Sequence, residues 1–122
     1  MNNLNSIILE GNAVADIEVS ESVPGFKVGK FTIAVNRFYK NREGEGVDEV
    51  SYFDCESYGV NTDFYKDKIK KDRGVGIVGR LKQDRWTDDE GKACSKVYIV
   101  TEHVEFKPIK KEKALKEQQI TF

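Results

Sequence analysis

The 122-residue sequence predicts an all-β fold, a small closed β-barrel of five short strands with one helix between the third and fourth. Three observations predict it. Segments alternating apolar and polar residues with period two dominate the chain. Only one stretch, about Thr62 to Asp72, carries helix signals. Glycines interrupt the run Val75-Gly76-Ile77-Val78-Gly79 as the bends and close approaches of a tightly coiled barrel require.

Taken in order, Leu4 to Leu9 supplies Leu4, Ile7, Ile8 and Leu9 and ends at Gly11-Asn12, a strand and turn. A polar stretch follows, closed by the turn signal Pro24-Gly25. Phe31 to Val35 alternates, with Phe31, Ile33 and Val35 on one face. Asn41 to Asp48, charged and holding Gly44 and Gly46, reads as a mobile hairpin loop. Val50 to Tyr58 is the third strand. Its odd positions Phe53 and Cys55 suit a core, and its even face carries Tyr52, Asp54, Glu56 and Tyr58, a surface pattern. The helix has Thr62 as candidate N-cap, Asp63 in its first turn and Arg73-Gly74 as its stop. Its lysines, Lys66, Lys68, Lys70 and Lys71, resemble a phosphate patch but suit a solvated face. Strands resume at Val75–Gly79, Arg80–Trp86 and Cys94–Phe106, with Thr87 to Gly91 as a hairpin turn.

Composition narrows the function. The chain is 34% charged, yet 20 Lys+Arg against 21 Asp+Glu leave a formal net charge of −1, which argues against a polybasic binder whose whole surface attracts phosphate. Residues 1–107 carry 16 basic and 19 acidic residues, and 108–122 carry 4 and 2. Cys55, Cys94 and the single histidine, His103, lack the spacing of a zinc site or a triad. No cofactor and no catalysis are expected. Without a disulfide framework or a signal peptide the chain reads as cytosolic and reduced. Its apolar runs are far too short to span a membrane.

Five strands and one helix in this order are the layout of an oligonucleotide-binding (OB) barrel, although other small antiparallel folds share it. The sequence also resembles the bacterial single-stranded DNA-binding protein family over residues 1–107. The resemblance rests on Leu4-Asn5-Ser6-Ile7-Ile8-Leu9-Glu10-Gly11-Asn12, Phe31-Thr32-Ile33-Ala34-Val35-Asn36-Arg37, Val47-Asp48-Glu49-Val50-Ser51-Tyr52-Phe53-Asp54-Cys55, and Gly79-Arg80-Leu81 followed by Arg85-Trp86-Thr87-Asp88. Four pieces stand in the right order at the right spacing. The resemblance implies base stacking on Tyr39, Tyr52, Tyr58 and Trp86, with tyrosine at three positions where the family often has tryptophan or phenylalanine. It also implies homo-oligomers, commonly tetramers, acting in DNA replication, recombination and repair in the cytoplasm, associated with the nucleoid.

The residues support stacking on their own terms. Every base has a π-face, so aromatic platforms tolerate any sequence and contribute about 1–3 kcal/mol per base. Tyr52 and Tyr58 share the outward parity of one strand, and Trp86 shares its parity with Lys82 and Asp84. The bland alternative is that these rings merely edge the core with polar tips in water. Phosphates need cations on the same path. Arg37, Lys40 and Arg42 surround Tyr39, and Lys82 and Arg85 flank Trp86. Asp54 and Glu56 oppose phosphate between the two tyrosines, so base contacts run there or a neighbouring subunit masks the pair.

After Pro108 the composition shifts to a short tail, 108–122, with Lys110, Lys111, Lys113 and Lys116. The family resembled ends in an acidic run closing with Ile-Pro-Phe that docks replication and repair partners. Here Ile120 and Phe122 are kept, and the acidic run and the proline are missing. The expected function is sequence-tolerant binding of single-stranded DNA. Two alternatives stay open: a primosome-like protein-interaction adaptor with weak nucleic-acid binding, which Asp54 and Glu56 favour, and an RNA-binding barrel.

Overall fold

Alternation becomes topology through strand pairing, and here the paired sheet curls until its ends meet. The computed structural model describes residues 1–109; Ile120 and Phe122, with most of the predicted tail, lie outside them. The strands are β1 (Ile7–Ala13), β2 (Glu18–Val23), β3 (Phe26–Lys40), β4 (Gly46–Tyr58), β5 (Gly74–Thr87) and β6 (Ala93–Phe106), and the helix α1 (Val60–Tyr65) joins β4 to β5. The sheet runs β1-β5-β6-β4-β3-β2, with β4 and β6 the parallel pair. β1 closes the barrel by pairing Asn12 with Ala34 and Ala13 with Ile33 of β3.

The inward residues are those that alternation selects. Phe31 and Ile33 from β3, Cys55 from β4, Val75 and Ile77 from β5, and Ile99 and Val104 from β6 form the core, joined by Tyr65 and Ile69. Tight coiling explains two glycines. A Cβ on Gly11 would strike the carbonyl of Ala34, and one on Gly79 the carbonyl of Val100. At Gly79 the β5–β6 register also shifts, so the strand bends there. The 75–79 and 80–86 segments are thus two halves of one long strand.

The expected five-stranded barrel with one helix is present, with corrections. Glu18–Val23, read as merely polar, is a strand, so the helix follows the fourth strand in chain order instead of the third. All six of its residues are exposed. Among the described residues it pairs only with β3, and an edge strand with no buried face needs no apolar period. The first strand is shifted toward Ala13, leaving Leu4 outside it and placing Gly11-Asn12 in pairing rather than in a turn. The hairpin loop shrinks to Asn41–Glu45, where the Asn41 side chain accepts from the backbone N–H groups of Glu43 and Glu45.

The helix is shorter than its signals suggest, ending at Tyr65, and its N-cap is Gly59 at φ 63°. Thr62 is buried instead, and its hydroxyl shares a 2.8 Å hydrogen bond with that of Ser57 on β4. Packing overrode the local cap: the side chain that would have capped faces the core. Turns carry the chain on to Arg73, and Lys66, Lys68, Lys70 and Lys71 stand exposed on them, the solvated arrangement expected. His103 is likewise an exposed strand residue, with Nε2 2.6 Å from Glu105.

Candidate nucleic-acid interface

Register decides which side chains share the outer surface. Along β3 and β4 pairing is continuous from Val28 opposite Tyr58 to Lys40 opposite Gly46. Inward Phe31, Ile33 and Cys55 therefore force the even positions outward. On β5 and β6, Leu81 lies opposite buried Ile99, Lys82 opposite Tyr98, Asp84 opposite Lys96 and Trp86 opposite Cys94. Tyr52, Tyr58, Lys82 and Trp86 thus have the same outward parity, as expected.

Their environments differ. Tyr52 is 66% exposed and Trp86 49%, so both present open rings. Tyr58 is half-buried and held from two sides. Its ring stacks near that of Phe26, with centroids 6.2 Å apart and planes 18° from parallel, and buried Tyr98 lies on its other side. Burial, then the hydrogen bond to Tyr98 and the nearby Glu56, hold the Tyr58 phenol well above its ordinary value. Burial likewise pushes the Tyr98 phenol up, with Asp84 adding to the effect. Both rings therefore stay neutral at physiological pH and add no negative charge to the face.

One of the two carboxylates between them, Asp54, is engaged. Asp54 Oδ1 accepts a 2.7 Å hydrogen bond from the Thr32 hydroxyl, and Lys96 Nζ stands 3.5 Å from its Oδ2. Lys30 of β3 stands opposite Glu56 of β4 in the ladder. Lys82 sits 3.9 Å from Asp84, with its ammonium 6.0 Å from the centre of the Tyr98 ring. Cations and carboxylates alternate here, so the face is close to neutral and its open chemistry is aromatic. Lys96 offsets the charge of Asp54, so the repulsion of phosphate there is smaller than two bare carboxylates would imply.

Arg37 and Tyr39 lie elsewhere. They are odd positions of β3, on the other side of the β3–β4 ribbon, where the Arg37 guanidinium caps the Tyr39 ring at 4.6 Å. Lys40 keeps the outward parity, and Arg85, an odd position of β5, is turned from Trp86. Sequence reasoning missed Phe26, Phe38, Tyr98 and Lys96 on the outer face. Counting parity from Ile33 would have found Phe38. Tyr98 and Lys96 needed the β4–β6 pairing, which leaves no local signal.

Elsewhere, burial and the neighbouring Asp54 push the Cys55 thiol up to about 12, leaving it un-ionised and inert. Among the described residues no three His, Cys, Asp or Glu side chains cluster as metal ligands, and no helix is long and apolar enough to cross a membrane.

A coiled OB barrel whose outer strands display open rings among paired charges defines a class: a binder of unpaired nucleic acid, in which bases stack and the sheet supplies the floor. Comparisons make it particular. The model of the Single-strand binding protein family matches residues 4–107, so the chain belongs to that family, whose members bind nucleic acid and catalyse no reaction. It is 37% identical over 101 residues to a single-stranded DNA-binding protein of Aquifex aeolicus, covering 83% of this chain and 68% of the relative. To those of Wolinella succinogenes and Borreliella burgdorferi it is 33% and 34% identical, over 83% and 86% of this chain and 62% and 70% of theirs. The match thus spans about two thirds of the length of these relatives. The fold is shared with an SSB of Plasmodium falciparum solved with ssDNA, at a TM-score of 0.79 and 23% identity, over 88% of this chain and 98% of that one. A deletion mutant of the Thermus aquaticus single-stranded DNA binding protein also has a TM-score of 0.79, at 19% identity, over 89% and 53%.

Proposed function

We propose that the chain binds single-stranded DNA without sequence preference, laying it across the outer face with bases on Tyr52, Tyr58 and Trp86 and phosphates near Lys82 and Lys40. The observation that carries this reading is the common outward parity of the three rings, two of them open and one fixed by its neighbours. Stacking supplies most of the affinity, because the charges of the face largely cancel. Arg37 with Tyr39, and Arg85, meet the strand where it passes round the edges of the two ribbons. The binding domain is residues 1–107. At its end the N–H of Lys107 donates to the Gly74 carbonyl.

The setting is DNA replication, recombination and repair in the cytoplasm, on the nucleoid, with the chain assembled as a homotetramer. Ile120 and Phe122 would contact replication and repair partners. Of the two carboxylates that favour the adaptor reading, Asp54 is occupied by Thr32 and Lys96.

Trp86 is the only tryptophan and reports the interface directly. Poly-dT and poly-dA should quench its fluorescence and duplex DNA should not. Each phosphate neutralised should lower log K by about 0.7 per tenfold rise in salt. No quenching by single strands at low salt refutes the reading, and stronger quenching by RNA transfers it to RNA.

A further inference from the structure

Phe38 is an apolar ring with no apparent reason to face water, yet it is 66% exposed. It lies where β3 and β4 have left the barrel: β1 meets β3 only at Ala34 and Ile33, and β6 meets β4 only at Cys55 and Glu56. Beyond those points the two strands, among the described residues, pair only with each other, out to Lys40 and Gly46. On the outward side of this ribbon Ala34 faces Tyr52, Asn36 faces Val50, and Phe38 faces Asp48. Val50 is 46% exposed and Tyr52 66%. The open aromatic surface therefore continues past Tyr52 along the ribbon to Phe38.

The ring is also supported. A Cβ on Gly46 would come within 3.0 Å of Phe38 Cε2 and Cζ, so the ring rests over the glycine backbone and turns its free face to solvent. Lys40, next on the same side, has no ion-pair partner among the described residues. Asp48 is the carboxylate directly across. A flat ring floored by backbone, in line with Tyr52 and followed by an unpaired ammonium, is a place for one nucleobase and its phosphate.

We propose that Phe38 is a stacking platform that extends the single-strand track along the β3–β4 ribbon, with Gly46 keeping the ring flat. The proposal rests on the reading of the Tyr52, Tyr58 and Trp86 face as that track. The same side of the ribbon carries Val50, Tyr52 and Lys40, so the platform continues that interface and suits a nucleobase beside a phosphate. A second copy of the chain seated on the ribbon is the competing occupant, and the test separates the two.

In a Trp86→Phe background, Phe38→Trp places the only tryptophan at the new position. Its fluorescence should be quenched by poly-dT, as that of Trp86 is in the unaltered chain. Phe38→Ala should weaken poly-dT binding by between about 5- and 150-fold, the range for one lost base stack, and Gly46→Ala should weaken it less by tilting a ring that is still present. An unquenched tryptophan at 38, while Trp86 of the unaltered chain is quenched, overturns the Phe38 proposal alone. If neither is quenched, the track itself is wrong and the proposal falls with it. A Phe38→Ala chain with unchanged affinity but a smaller assembly by light scattering assigns the ring to an interface between copies and overturns the proposal.

Discussion

The two halves of β5 obey one alternation and do opposite things with it. From Gly74 to Gly79 the strand buries Val75, Ile77 and Gly79 against the barrel interior, and from Arg80 to Thr87 every residue is exposed. β3 and β4 divide the same way, with Ile33 fully buried and Phe38 mostly exposed on one strand. A strand opposed by the rest of the barrel spends one face on the core. A strand that has left it has two faces free. Long strands that begin in the core and end in water hold the exposed rings rigidly, because their inner halves are locked by packing.

The comparison can be broken from either half. The largest effect should come from the buried half: Ile77→Ala leaves a cavity and should cost about 2–5 kcal/mol of unfolding free energy, measured by urea midpoint, with affinity for poly-dT per folded molecule unchanged. The exposed half should behave inversely. Tyr52→Ala should weaken binding by about 1–3 kcal/mol and leave the unfolding free energy from urea titration within about 0.5 kcal/mol of the parent. A Tyr52→Ala chain that unfolds early but binds normally would show the ring to be structural.

A subtler contrast lies in the two thiols. Cys55 is buried and Cys94 partly exposed at the tip of the β5–β6 ribbon. A thiol reagent at neutral pH should label one cysteine per native chain and two in denaturant. Because the folded Cys55 thiol ionises near 12 against an ordinary 9.0, the unfolded state loses that proton first, and this contribution to stability should fall as pH rises from about 9 toward 12.

The smallest effect belongs to the surface pair of Lys27 and Asp63, 2.6 Å apart. Its hydrogen bond holds the Asp63 carboxyl below its usual range and the Lys27 ammonium above its own. The carboxylate's contribution is present above the ordinary aspartate pKa and is lost as pH falls through the lowered folded value. The ammonium's is present below the ordinary lysine pKa and is lost as pH rises through the raised one. Asp63→Asn should move the thermal midpoint slightly at low salt and less at high salt; an equal shift at both would assign it to packing.

Much of this was legible beforehand. Phe31, Ile33, Cys55, Val75, Ile77 and Ile99 announce their strands because each must alternate to stay inside. The outward parity of Tyr52, Tyr58 and Trp86 follows from the same count. β2 was hidden because an edge strand buries nothing. Thr62 misled because its hydroxyl found Ser57, a partner on β4, rather than its own backbone. Tyr39 drew attention as the ring matching the family pattern, while Phe38 beside it holds the position in line with Tyr52.

By itself the sequence determined the alternating strands, the inward set and the outward rings, since each depends only on the period of a strand. Tertiary structure alone decided what those rings stand beside. Tyr98 reaches Tyr58, Lys96 reaches Asp54 and Gly46 floors Phe38 because of strand register, a relation between residues distant along the chain that no local pattern records. Period is a property of one strand, and a binding surface is a property of several.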